Sequence, residues 1–192
     1  MGNQLINSPP WLVDNAQQKY VGVKNPDGTE LIWARSPHAA SFQDLSNQYA
    51  LGNNVATPME CDTTDFAVGV TMVDNSKITF SRAGYYNIQF SAQLQNVSTS
   101  SEYNISIWLR NSVGDVANSC TDVTIPKKHG GGNGLLVAAW NLFVPAVAGS
   151  HIQIMWSTPS TDVSIAYLGT RTGPVRPSVP SVIITVNEVD GA

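Results

Sequence analysis

Three histidines, two cysteines and one run of carboxylates are the side chains in this sequence whose chemistry could go beyond packing. His38, His129 and His151 stand far apart, and none has another His, Cys or carboxylate at a metal-ligand spacing, so each reads as a loop or surface histidine. Cys61 and Cys120 could form at most one bridge, and their spacing fits no zinc or redox motif. They read as two buried free thiols, because unpaired cysteine packs as a small hydrophobe. Glu60, Asp62 and Asp65 gather with Thr63 and Thr64 into an oxygen-rich connection, yet the ordered spacing and glycine of a calcium loop are missing. That stretch reads as a solvated loop. Residues 127–134, Lys-Lys-His-Gly-Gly-Gly-Asn-Gly, lack the lysine and hydroxyl that follow the last glycine of a phosphate cradle, and read as an exposed loop tip. There is no Gly-x-Ser-x-Gly elbow, and no carboxylate pair stands out for glycoside hydrolysis. Trp108, Trp140 and Trp156 could stack sugars, but burial in a core or a subunit interface is the stronger reading. The chemistry points to binding or structure: no enzyme, no metal site, no cofactor.

Composition agrees with that direction. Of 192 residues, 42% are hydrophobic and only 12% charged, roughly half the usual charged share. The net charge is −4 and the only adjacent basic pair is Lys127-Lys128, so no basic footprint exists for nucleic acid. No apolar run is long enough to span a membrane, and the polar opening residues form no secretory signal, so synthesis in a cytoplasm is expected.

The elements that must position these residues are strands. In residues 78–94, Ile78 and Phe80 alternate with polar neighbours, a turn follows at Ala83-Gly84, and Tyr86, Ile88, Phe90, Ala92 and Leu94 then share one face. Period two predicts a half-buried strand. Further strands are predicted at residues 39–49, 66–73, 103–110, 116–125, 135–144, 151–157, 163–168 and 181–189, with turn signals about every ten residues and no helical periodicity. Residues 53–65 read as polar connection. The last strand is apolar on both faces at residues 182–184, as a strand buried in an oligomer core would be.

Residues 1–35 differ from the rest. After Pro9-Pro10 comes an apolar plug, Trp11-Leu12-Val13, then a hairpin in which residues 20–23 and 30–33 flank Asn25-Pro26-Asp27-Gly28. An isolated hairpin is marginal in water. This arm, with Trp11, Tyr20 and Trp33, therefore packs on its own domain or docks on a partner. The division is an arm at 1–35 and a domain at 36–192.

Eight to ten strands in the domain suit an antiparallel jelly-roll sandwich. Residues 84–90, Gly-Tyr-Tyr-Asn-Ile-Gln-Phe, resemble the glycine-x-tyrosine-x-phenylalanine-x-aromatic signature of the tumour-necrosis-factor and complement-head superfamily; Gly84, Tyr86 and Phe90 match and Ile88 replaces the usual aromatic. Residues 105–111 and 142–156 resemble later strands of that family, and residues 181–189 stand in the place of its final strand. The arm resembles the short leader of bacteriophage tail and capsid-associated proteins, several of which carry such domains. The resemblance implies a homotrimer, with Tyr103, Trp108 and Ile183 at the subunit interface. It also implies a place in a virion: a capsid decoration or cement protein docked on the major capsid protein, or another virion protein, through Trp11, Leu12, Val13, Tyr20 and Trp33. The shortness of the arm favours direct attachment over a fibre shaft. The alternative is a tail-fibre tip that binds a receptor or host surface glycan through residues 130–133 and 171–180. Neither nucleic acid nor membrane is an expected partner.

Overall fold

Strand forms wherever period two is strongest. In the computed structural model, which describes residues 20–24, 31–35 and 37–190, Gly84–Asn96 runs for 13 residues with Tyr86, Ile88, Phe90, Ala92 and Leu94 buried and the odd-numbered residues from Tyr85 to Gln95 on the other face. It is the central strand of a seven-stranded antiparallel sheet. Gly134–Ala146 pairs with it along its whole length, from Asn96↔Gly134 to Gly84↔Ala146. On its other side it pairs with Val182–Asp190 and, near its end, with Val163–Ile165. Ala39–Asp44 then pairs with Val182–Asp190, Thr63–Val68 with Ala39–Asp44, and Gln48–Tyr49 with Val163–Ile165.

The second sheet has six strands. Thr121–Ile125, Tyr103–Asn111, His151–Ser157, Lys77–Phe80 and Val70–Val73 lie side by side in that order, and Thr57–Pro58 pairs with His151–Ser157. All pairings are antiparallel. The inner faces of the two sheets share one core, in which Phe42, Ile88 and Val186 of the first sheet and Phe80, Ile107 and Trp156 of the second are fully buried. Phe80 and Tyr86 meet across it with ring centroids 4.4 Å apart, and Phe90 packs on the Trp140 ring edge-on at 4.4 Å. The fold is therefore all-β and sandwich-like, and no helix occurs among the described residues. Nor is any described helix long and apolar enough to cross a membrane.

The chain divides into two compact units, Met1–Pro37 and His38–Ala192. In the first, Tyr20–Lys24 pairs antiparallel with Leu31–Arg35, Val23 opposite Ile32. Residues 1–19, which include Trp11, Leu12 and Val13, and residues 25–30, which include the expected turn at Asn25-Pro26-Asp27-Gly28, lie outside the described residues, as do the side chains of Tyr20 and Trp33.

Several expected elements come out differently. Residues 39–49 break into Ala39–Asp44 and Gln48–Tyr49, and residues 163–168 are strand only over Val163–Ile165. Residues 53–65, read as polar connection, supply Thr57–Pro58 and the start of Thr63–Val68, so Asp65 lies on a strand rather than in a loop. Residues 66–73 are not one strand: the chain pairs as Thr63–Val68 in the seven-stranded sheet, turns at Gly69 (φ +69°), and continues as Val70–Val73 in the six-stranded one. Glycine is required there twice over, by the positive φ and because a Cβ would collide with the His38 ring. Residues 116–125 form a strand only from Thr121. The preceding loop satisfies its own backbone: Asn111 Oδ1 accepts from the amides of Val113 and Gly114, and Ser119 Oγ accepts from the Leu109 amide.

Ile88 is fully buried in the central strand. Ile88→Ala should lower stability by about 2–5 kcal/mol, seen as a lower urea midpoint at unchanged m-value.

Candidate functional site

Glu188, in the last strand, sits beside His38, the residue that precedes Ala39–Asp44. Its Oε2 accepts from the His38 amide at 2.8 Å, and its own amide donates to the His38 carbonyl at 2.8 Å. Arg82, from the turn before Gly84–Asn96, donates Nε to Glu188 Oε1 at 2.7 Å and Nη2 to Oε2. The Tyr86 hydroxyl donates to the Arg82 carbonyl at 3.2 Å and lies 3.3 Å from His38 Nδ1. The direction of the Tyr86–His38 contact follows the imidazole tautomer: the hydroxyl accepts if Nδ1 carries the proton and donates if it does not. Ser81 Oγ lies 3.5 Å from the same nitrogen.

Burial works against the Glu188 carboxylate, but the Arg82 and His38 hydrogen bonds outweigh it and hold its pKa below the usual glutamate range. The bond to Glu188 raises Arg82, and burial, reinforced by the Glu188 charge, pushes Tyr86 up to about 12. Glu188, Arg82 and Tyr86 keep their resting ionisation states at neutral pH. The cluster ties strands together. His38, read from sequence as a loop or surface residue, is buried. Its side-chain and backbone partners are 43, 48 and 150 positions away, so no local pattern could have revealed them.

The other chemistry-bearing residues are separate. Cys61 is buried and Cys120 exposed, and both are free, so the expectation of two buried thiols holds for Cys61 alone. Burial, and then the neighbouring Asp44 charge, push the Cys61 thiol far up and leave it unreactive. Asp65 accepts from Ser41 Oγ at 2.8 Å and Gln43 Nε2 at 2.6 Å, and Asp62 accepts from Thr63. Among the described residues no group of three or more His, Cys, Asp or Glu could hold a metal ion.

The outer faces of the two sheets differ. On the six-stranded sheet polar groups satisfy one another: Asp115 accepts from Trp108 Nε1 at 2.8 Å and Arg110 Nε at 2.6 Å, Asp122 from Ser106 Oγ, and Asn104 from Thr124. On the seven-stranded sheet Leu135, Val137 and Phe143 project from Gly134–Ala146, and Tyr85 and Ile183 share that outer face; Phe143 is 61% exposed and Ile183 38%. Beside Ile183 lies a shallow depression of about 190 Å³ lined by Gln89, Phe90, Ser91 and Thr185. Asn87 stands between Phe143 and Asn187 in register, and its buried Oδ1 has no hydrogen-bond partner among the described groups.

Gly84, Tyr86 and Phe90 are all buried in the core. Tyr103, Trp108 and Ile183 are not brought together: the first two lie on the six-stranded sheet, where Tyr103 donates to Asp162, and only Ile183 lies on the outer face of the seven-stranded sheet. Tyr85, Leu135, Val137 and Phe143 were missed. Their signal is an apolar character on both faces of residues 135–144, the same pattern noticed at residues 182–184.

A scan against protein-family models finds no match, and a search of curated proteins returns none either.

Glu188→Gln should cost about 3–5 kcal/mol by stranding Arg82 in a buried site. The folded-state pKa of Glu188 is depressed, so its contribution is present above the ordinary glutamate pKa of about 4.3 and is lost as pH falls through the lower folded value. Thermal melts from pH 7 downward should show the native protein losing stability in that acid window and the variant, already weakened, losing less.

Proposed function

We propose that the body is a jelly roll of the tumour-necrosis-factor and complement-head type, and that the protein is a trimeric virion component of a tailed bacteriophage, decorating or cementing the capsid through its N-terminal arm. Strand order supports the fold. The sequence Gly134–Ala146, Gly84–Asn96, Val182–Asp190, Ala39–Asp44 in one sheet, against Thr121–Ile125, Tyr103–Asn111, His151–Ser157, Lys77–Phe80 in the other, makes the chain cross repeatedly between sheets, as two interleaved Greek keys do.

The observation that carries the assembly is the set of exposed apolar side chains on Gly134–Ala146, at the outer face of the seven-stranded sheet. Exposed apolar side chains gathered together mark an interaction surface. Leu135, Val137 and Phe143 line this edge strand, which has a partner on one side only among the described strands, and Ile183 lies two strands away across the polar outward row of the central strand. Copies packed about a threefold axis would bury Phe143, Val137 and Ile183. The small hairpin unit ahead of the body supplies the attachment element. The fold-level resemblance supports the virion setting, and no catalytic constellation argues against it.

A tail-fibre tip is the second reading, favoured by one observation. Residues 127–134 and 166–181 leave the same end of the sandwich, since Asn96 pairs with both Gly134 and Val163 and the Lys128 amide donates to the Ser98 carbonyl at 2.7 Å. The sheet's other end is marked by Gly84↔Ala146 and Ala39↔Asn187.

Light scattering of the intact chain should give a trimer, and Phe143→Asp combined with Ile183→Asp should give monomers with native circular dichroism. A chain lacking residues 1–35 should remain trimeric but no longer join particles. A monomeric parent, or full occupancy by the truncated chain, would contradict the assembly or the arm respectively.

A further inference from the structure

Cations are distributed unevenly over the body. Of its seven Lys and Arg residues, Lys77 pairs with Asp74, Arg82 with Glu188 and Arg110 with Asp115. The other four, Lys127, Lys128, Arg171 and Arg176, form no ion pair with any described residue. All four belong to the loops at the end remote from His38. Lys127 and Lys128 precede the glycine run. Arg171 and Arg176 lie in a two-stranded hairpin that extends beyond the Leu168↔Val179 bridge.

Within that hairpin Arg171 and Arg176 are directly opposite each other in register, and both are exposed. Like charges directly opposed across a ladder destabilise it. A chain of net charge −4 that neutralises its other body cations thus keeps two guanidinium groups side by side with no carboxylate to answer them. An anion seated between them would relieve that repulsion, and the guanidinium fork matches carboxylate and phosphate oxygens two at a time.

We propose that this loop end is an anion-binding surface, with Arg171 and Arg176 as its primary contacts and Lys127 and Lys128 as supporting charges, and that its ligand is an acidic polysaccharide. The ligand class follows from charge density. A nucleic acid carries a phosphate at every residue and selects a continuous basic stripe. Here four cations on two loops are interrupted by Glu102 and Asp162 on the loops between strands at the same end. A polymer whose acidic groups are spaced by neutral sugars suits that pattern, and Asn133 and Thr172 offer amide and hydroxyl groups for the sugars between. The assignment rests on the tip-binding reading of these loops and is independent of the arm.

The test uses the intact chain and fluorescein-labelled polygalacturonate for carboxylate, a phosphomannan for phosphate, neutral dextran, and single-stranded DNA, at low and near-physiological salt. Fluorescence polarisation should detect salt-sensitive binding to one or both acidic polymers and none to dextran, with the two polymers deciding which oxyanion is preferred. Arg171→Ala with Arg176→Ala should weaken binding by about tenfold or more, roughly two lost charge-assisted contacts, at unchanged oligomeric size and melting temperature. Lys127→Ala with Lys128→Ala should weaken it less. No binding to either acidic polymer, equal binding by the arginine variant, or tighter binding to DNA would each overturn the proposal. Polymer binding by particles whose adsorption is unchanged in the arginine variant supports the anion site while removing the tip reading. Lost adsorption without polymer binding does the reverse.

Discussion

The Glu188 carboxylate ties together three segments that are far apart in the chain, accepting hydrogen bonds from the His38 amide and the Arg82 guanidinium while the Glu188 amide returns one to the His38 carbonyl. The strand that carries it, Val182–Asp190, is inserted between Gly84–Asn96 and Ala39–Asp44, so the sheet closes only when the end of the chain has docked between two earlier pieces. Pairing of such high sequence separation costs loop-closure entropy that local turns do not repay. A buried ion pair held by hydrogen bonds from the Arg82 guanidinium and the His38 amide fixes the register of a strand in which slippage by one residue would turn Ile183 inward and Ile184 outward. Gly69 belongs to the same constraint, because the His38 ring fills the space a side chain would need and the chain changes sheets at that point.

With the sandwich closed, its surfaces divide the work. The outer face of the six-stranded sheet pairs polar side chains with one another through Asp115 and Asp122. The seven-stranded sheet leaves Phe143, Val137 and Ile183 in water, and exposed apolar side chains of this kind support the proposed assembly. The loop end carries four cations without carboxylate partners among the described residues. Assembly through a face and recognition through an end are compatible in one molecule, since the two surfaces do not compete for the same residues. The proposed virion role uses the first, and the proposed acidic-polysaccharide site uses the second.

Much of the architecture was legible beforehand. Alternation at Tyr86, Ile88, Phe90, Ala92 and Leu94 marks both the strand and its buried face, because side chains in a strand point to opposite sides whatever the neighbours are. The same rule fails at residues 66–73, where an unbroken apolar run hides a change of sheet. Apolar character says that a residue avoids water and does not say which sheet provides the shelter. Nor does it say what Tyr103 and Trp108 touch: Tyr103 packs against the core and hydrogen-bonds Asp162, while Trp108 bonds Asp115 on the outer face of the six-stranded sheet.

The amino-acid sequence by itself determined the all-β class, the strong strands and the buried set around Gly84, Tyr86 and Phe90, since each depends on residue type and short-range spacing. Only the tertiary structure decided that His38 is buried against Tyr86 and Glu188, that the loops at 127–134 and 171–180 leave one end together, and that Asn87 Oδ1 has no hydrogen-bond partner among the described groups. Those facts depend on which strands become neighbours. Neighbours in a sheet are chosen by the free energy of closing the whole core, a sum over residues up to 150 positions apart that no local stretch contains.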